Sequence, residues 1–68
     1  MKKFRITKVY EDFYSLEFEA ENLEAAKQWL VNENPYLEQE DKPYLKQSYI
    51  NELDEDDDVI GDDIEFKY

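Results

Sequence analysis

The stretch Tyr14-Ser15-Leu16-Glu17-Phe18-Glu19-Ala20-Glu21-Asn22-Leu23-Glu24-Ala25-Ala26-Lys27-Gln28-Trp29-Leu30 changes its apolar period halfway along. In its first half Tyr14, Leu16, Phe18 and Ala20 alternate with Ser15, Glu17 and Glu19, the period of a strand with one buried face. In its second half Leu23, Ala26 and Leu30, with Ala25 and Trp29 beside them, form a stripe at helical spacing. Asn22 stands at the junction as an N-cap, Glu24 favours the helix dipole, and Asn34-Pro35 is a stop signal. These residues predict a strand running into a helix over about 23–32, with Trp29 packed on the Tyr14, Leu16 and Phe18 face.

Upstream, Phe4, Ile6 and Tyr10 repeat the period of two, with Lys8 interrupting the apolar face. Two strands joined around Glu11-Asp12 make an antiparallel hairpin, and Arg5 or Lys8 opposite Glu17 or Glu19 would help set its register. Downstream, Tyr36-Leu37 and Glu38 to Asp41 suggest a further helical turn, which Pro43 interrupts. Leu45, Tyr49 and Leu53, with Ile50, suit a second helix over about 43–53 capped by Asp41, although Tyr49 and Ile50 also read as an extended strand; the helix is the preferred reading. Val59-Ile60, a turn at Gly61-Asp62, and the alternation of Ile64, Phe66 and Tyr68 predict a final strand. The expectation is one α+β domain over residues 1–68, β-β-α-(α)-β, with an antiparallel three-stranded sheet and one or two helices on one face.

Charge narrows the function. The 68 residues hold 8 Lys plus Arg against 19 Asp plus Glu, a formal charge of −11. Residues 1–10 carry Lys2, Lys3, Arg5 and Lys8 and no acid, whereas Glu52, Asp54, Glu55, Asp56, Asp57, Asp58, Asp62, Asp63 and Glu65 follow one another without a base. Such a balance disfavours nucleic acid and anionic lipid as partners and favours a basic protein. The absence of Cys and His removes disulfides, thiolate and imidazole ligands and His-based nucleophile activation. Carboxylates so numerous and alike lack the contrasting environments that acid–base catalysis needs, so an enzyme is not expected and no cofactor is implied. Asp54, Asp56, Asp58 and Glu65 occupy positions 1, 3, 5 and 12 of a calcium loop, but Val59 stands where that loop turns on Gly, so no metal site is expected. No apolar run is long enough for a signal peptide or a membrane span, which places the expected protein in the cytoplasm. Eleven aromatic residues argue that so acidic a chain nevertheless folds.

The run from Tyr14 to Lys27 resembles the strand-to-helix signature of the small DpnD/PcfM-like proteins of phages and mobile elements, with Ala20 and Ala26 at its small positions. The resemblance covers the first half of the chain, implies a β-β-α start, and carries no catalytic residues. The 26 residues with AT-rich codons (Phe, Tyr, Met, Ile, Asn and Lys) against 7 Gly, Ala, Arg and Pro fit such a low-GC origin. By type rather than motif, the chain is also similar to anti-CRISPR and other inhibitors that imitate nucleic acid. Alternate strand residues lie ~6.6 Å apart, close to the ~7 Å between successive phosphates of a strand. The expected function is a non-enzymatic inhibitor that blocks the basic surface of a nuclease or CRISPR effector. Its expected contacts are the acids from Glu52 to Asp63, with Tyr44 and Tyr49, and then Tyr36 and Tyr68, as anchors. The competing expectation is a structural or regulatory module, homodimeric or not, in which these tyrosines complete a core or a dimer face and the acids are a solvated surface.

Overall fold

A computed structural model describes residues 1–39 and 44–68. Strands β1 (Lys2–Val9) and β2 (Phe13–Ala20) form the expected hairpin, with Arg5 opposite Glu17 and Ile6 opposite Leu16. The Arg5 guanidinium donates to the Glu17 carboxylate at 2.7 Å, a cross-strand ion pair that holds this register. Helix α1 (Leu23–Glu33) follows directly. Asn22 is extended and its side-chain oxygen accepts from the Ala25 amide at 2.8 Å, which satisfies one of the orphan donors of the first turn. Asn34 is left-handed, with φ 46°, and its amide closes the last turn on the Leu30 carbonyl before Pro35 stops the helix.

Two strands complete the sheet, β3 (Gln47–Leu53) and β4 (Val59–Glu65), in the order β2-β1-β3-β4 with every pair antiparallel. Among the described residues the sheet thus has four strands and a single helix packs on it, not three strands with up to two helices; the α+β character stands. The correction comes from residues 43–53. Position 43 lies outside the described residues, as do Glu40 and Asp41 of the anticipated helical turn, and from Gln47 onward the chain is a strand, not a helix. β3 lies between β1 and β4 and buries residues on both faces, Ser48 and Ile50 on one, Asn51 and Leu53 on the other. That removes the simple alternation by which a half-buried strand is recognised. Its buried polar groups are satisfied individually, Ser48 Oγ donating to the Phe66 carbonyl and the Asn51 amide to the Asp63 carboxylate.

The turn of the second hairpin was also displaced. It lies at Asp54–Asp58, and Gly61, expected at the turn, sits inside β4. Ile50 faces Ile64 and Glu52 faces Ile60, so Asn51 alone spans the interval that Gly61, Asp62 and Asp63 fill on β4. This bulge needs a positive φ, +77° at Gly61, which glycine supplies without strain.

Phe4, Ile6, Phe18, Ala20 and Ile50 from the sheet meet Ala26 and Leu30 from α1 in one core. Trp29 stacks on Phe18 with centroids 4.5 Å apart and planes 9° off parallel, and Phe18 in turn contacts Phe4 at 6.0 Å. Leu30→Ala therefore opens a cavity at a fully buried position and is expected to cost about 3 kcal/mol. Trp29→Ala, at a half-buried position, is expected to cost about 2 kcal/mol. Urea unfolding checks both, and a loss under about 1 kcal/mol for Leu30→Ala would contradict this core.

Candidate functional site

The acidic run forms the tip and one arm of the β3–β4 hairpin. Five acids in a row repel one another, and the chain closes over them by using one as an internal acceptor. The Asp54 carboxylate accepts from the backbone amides of Asp56 at 2.8 Å and Asp58 at 3.0 Å. Backbone bonds from Asp57 to the Asp54 carbonyl and from Asp54 to the Asp58 carbonyl complete the turn. Asp57 adopts φ 65°, a left-handed conformation that Asp tolerates better than most residues.

The nine acids between Glu52 and Glu65 therefore separate into two groups. Four have internal duties: Asp54 organises the turn, Asp63 receives the Asn51 amide, Glu52 lies 3.9 Å from Lys2, and Asp57 lies 2.9 Å from Lys3. The Asp57 carboxylate holds the Lys3 ammonium above its ordinary pKa, first through its hydrogen bond and then through its charge. Glu55, Asp56, Asp58, Asp62 and Glu65 have no such side-chain partner among the described residues, and all five are exposed. They are the surface the hairpin offers. No three carboxylates among the described residues converge as metal ligands.

Of the tyrosines expected as anchors, Tyr49 adjoins the Glu65 end of this surface, and none lies at the hairpin tip. Tyr49 lies in β3 opposite Glu65 and Tyr44 precedes the strand, 93% exposed. At a rise of ~3.3 Å per residue the loop begins roughly 17 Å from Tyr49. Tyr36 is exposed beyond the helix, and Tyr68 is half-buried, its hydroxyl donating to the Pro35 carbonyl. The apolar side chains beside the acids are instead Val59 and Ile60, 48% and 47% exposed, just after Asp58. They were legible as a strand start in the sequence; only the position of the turn shows that they flank the tip.

A second cluster lies at the opposite end of β1. Lys8 is 8% exposed, and its ammonium sits 3.9 Å from the centre of the Tyr68 ring. Tyr10 stands beside it, its hydroxyl donating to the Leu37 carbonyl at 3.0 Å. Burial pushes the Lys8 pKa down, against the opposing charge of Glu38, and pushes Tyr10 and Tyr68 up. No protein-family model, curated protein or solved structure matches the chain.

Two measurements follow from this geometry. Asp54→Ala removes the acceptor of two amides and is expected to lower stability by about 1 kcal/mol, whereas Asp54→Asn keeps the oxygen and loses less than half of that; equal losses in urea unfolding would exclude the turn-organising role. At alkaline pH the unfolded tyrosines ionise first, so Tyr10 and Tyr68 draw stability down as pH rises through their ordinary value of 10.0 towards their raised folded values. Lys8 acts oppositely, because below its ordinary 10.5 the unfolded chain holds the proton more tightly than the folded one. Lys8→Met deletes only that opposing contribution, so the urea midpoint of the variant is expected to fall more steeply around pH 10 than that of the parent.

Proposed function

We propose that this chain is a non-enzymatic binding protein whose β3–β4 hairpin blocks a basic nucleic-acid-binding surface on another protein, with a nuclease or CRISPR effector of a low-GC bacterium as the target class. The observation that carries this reading is the partition of the acids: the fold spends four of them on holding the hairpin and leaves Glu55, Asp56, Asp58, Asp62 and Glu65 exposed on a pre-ordered scaffold. Pre-ordering matters because a flexible acidic tail would lose conformational entropy on binding, while charges on a closed hairpin lose little. Long-range attraction by these carboxylates speeds encounter with a Lys- and Arg-lined groove, and Val59 and Ile60 supply apolar area at the point of contact. The phage-type resemblance of the first half fits an accessory inhibitor. The direct binding of nucleic acid is disfavoured by the charge of −11.

The test keeps the structural acids and removes the exposed ones. Glu55→Gln, Asp56→Asn, Asp58→Asn and Asp62→Asn together leave Asp54, Asp57 and Asp63 in place, so the fold is expected to keep its stability or gain slightly as repulsion falls. Tagged parent protein passed over lysate of a low-GC host is expected to retain a basic nucleic-acid-binding protein that added DNA or RNA releases. The fourfold variant is expected to capture it with an on-rate roughly tenfold lower and a flatter salt dependence. Equal capture by both forms would remove the hairpin from the interface. Fluorescence anisotropy at ~50 mM salt is expected to show no binding of the parent to DNA or RNA, and clear binding there would overturn the mimicry reading and direct attention to Lys2, Lys3 and Arg5.

A further inference from the structure

The two edges of the sheet differ in regularity. β4 is broken by the bulge at Gly61 to Asp63, whereas β2 pairs with β1 residue for residue, from Phe13 opposite Val9 to Ala20 opposite Lys2. The other edge of β2 meets no strand among the described residues. A regular edge strand directs the N–H and C=O of alternate residues outward, and the eight residues of β2 include no Lys, Pro or bulge to blunt such an edge. On the face away from α1, Phe13, Ser15, Glu17 and Glu19 are exposed. On the face towards α1, Tyr14 and Leu16 are half-buried, as is Trp29 where it stacks on Phe18.

Charge then selects what pairs there. Residues 11–26 hold six acids and no base. Glu19 has no ion pair among the described residues, and both Arg5 hydrogen bonds to Glu17 end on Oε2, which leaves Oε1 as an acceptor. β1 shows the kind of strand that β2 accepts: its Lys3 and Arg5 stand opposite Glu19 and Glu17, and its Phe4 and Ile6 opposite Phe18 and Leu16. We propose that the outer edge of β2 receives an extended segment of a partner protein in which Lys or Arg alternates with aliphatic residues. It repeats on the outer side the pairing that β1 makes on the inner. Backbone bonds hold it, its basic residues meet Glu17 and Glu19, and its aliphatic residues extend the apolar face at Leu16. A second copy of this chain is the poorer occupant, because pairing two β2 edges gathers Glu17 and Glu19 of both copies on one face, between chains of −11.

Amide chemical-shift titration of the full chain tests this with the octapeptide Lys-Val-Arg-Ile-Lys-Val-Arg-Ile, acetylated and amidated. The peptide is expected to shift β2 amides saturably, with a midpoint below about 1 mM, and to slow hydrogen exchange at the alternate β2 amides that point outward. Two further peptides carry N-methyl groups either on Val and Ile or on Lys and Arg, so each keeps every charge but loses the donors of one edge. At least one of them is expected to bind at least about tenfold more weakly, because its backbone bonds to β2 are lost. Glu19→Gln, at an exposed position without an ion pair among the described residues, is expected to keep the fold and weaken the parent peptide about threefold. The fourfold hairpin variant is expected to retain the β2 shifts, which separates this edge from the hairpin's proposed role. Equal affinity of all three peptides, shifts confined to Asp54–Glu65, a dimer of the free chain that protects the β2 edge, or no shift at about 10 mM peptide overturns the proposal.

Discussion

The structure depends on a basic strand paired on both sides by an acidic chain. β1 is bonded to β2 along one edge and to β3 along the other, and it holds three cations that reach the neighbouring elements. Arg5 pairs with Glu17 of β2, Lys2 with Glu52 of β3, and Lys3 with Asp57 of the hairpin tip. Each exposed pair is worth no more than about 1 kcal/mol alone. Their placement matters more than their sum. In a chain of −11 the strand order sets the basic segment between Glu17 and Glu19 of β2 on one side and Glu52 of β3 on the other. Apolar burial then does most of the stabilising, through Phe4 and Ile6, the members of β1 that enter the core.

What was legible in the sequence is what local chemistry decides. The Asn22 cap, the Asn34-Pro35 stop, the stripe of Ala26 and Leu30, and a basic β1 paired with an acidic β2, which the fold resolves to Arg5 with Glu17, all follow from neighbours in the chain or in one hairpin. The third and fourth strands depend on distant pairing. Leu45, Tyr49 and Leu53 have helical spacing, and nothing nearby contradicts it; the contradiction is the free edge of β1, some forty residues earlier, which β3 satisfies. Buried Ser48 and Asn51 look like surface residues until the Phe66 carbonyl and Asp63 are placed beside them. Lys8, which interrupts an apolar alternation, becomes intelligible only when the C-terminal Tyr68 lies across it.

The acidic run shows the same limit at the level of function. Composition identifies the segment but treats its members as equivalent, whereas the folded hairpin gives them different work. Asp54 and Asp63 are acceptors the backbone or a buried amide requires, Glu52 and Asp57 are tied to β1, and the remainder face water. A solvated surface alone would not require such a division. The carboxylates left without such duties lie on the same hairpin as exposed Val59 and Ile60, so charge and apolar area fall together there.

Those two aliphatic residues bear on how the edge of the sheet is protected. β4 is an edge strand, and exposed β-branched residues on an edge invite pairing with another chain. Here the bulge at Gly61 to Asp63 breaks the register just beyond Ile60, and Asp58 and Asp62 flank the pair with charge. A second copy approaching this edge would bring like charges together, while a surface of Lys and Arg meets no such barrier. The features that would oppose edge-to-edge pairing of two copies would not oppose a Lys- and Arg-rich surface, as the proposed role requires.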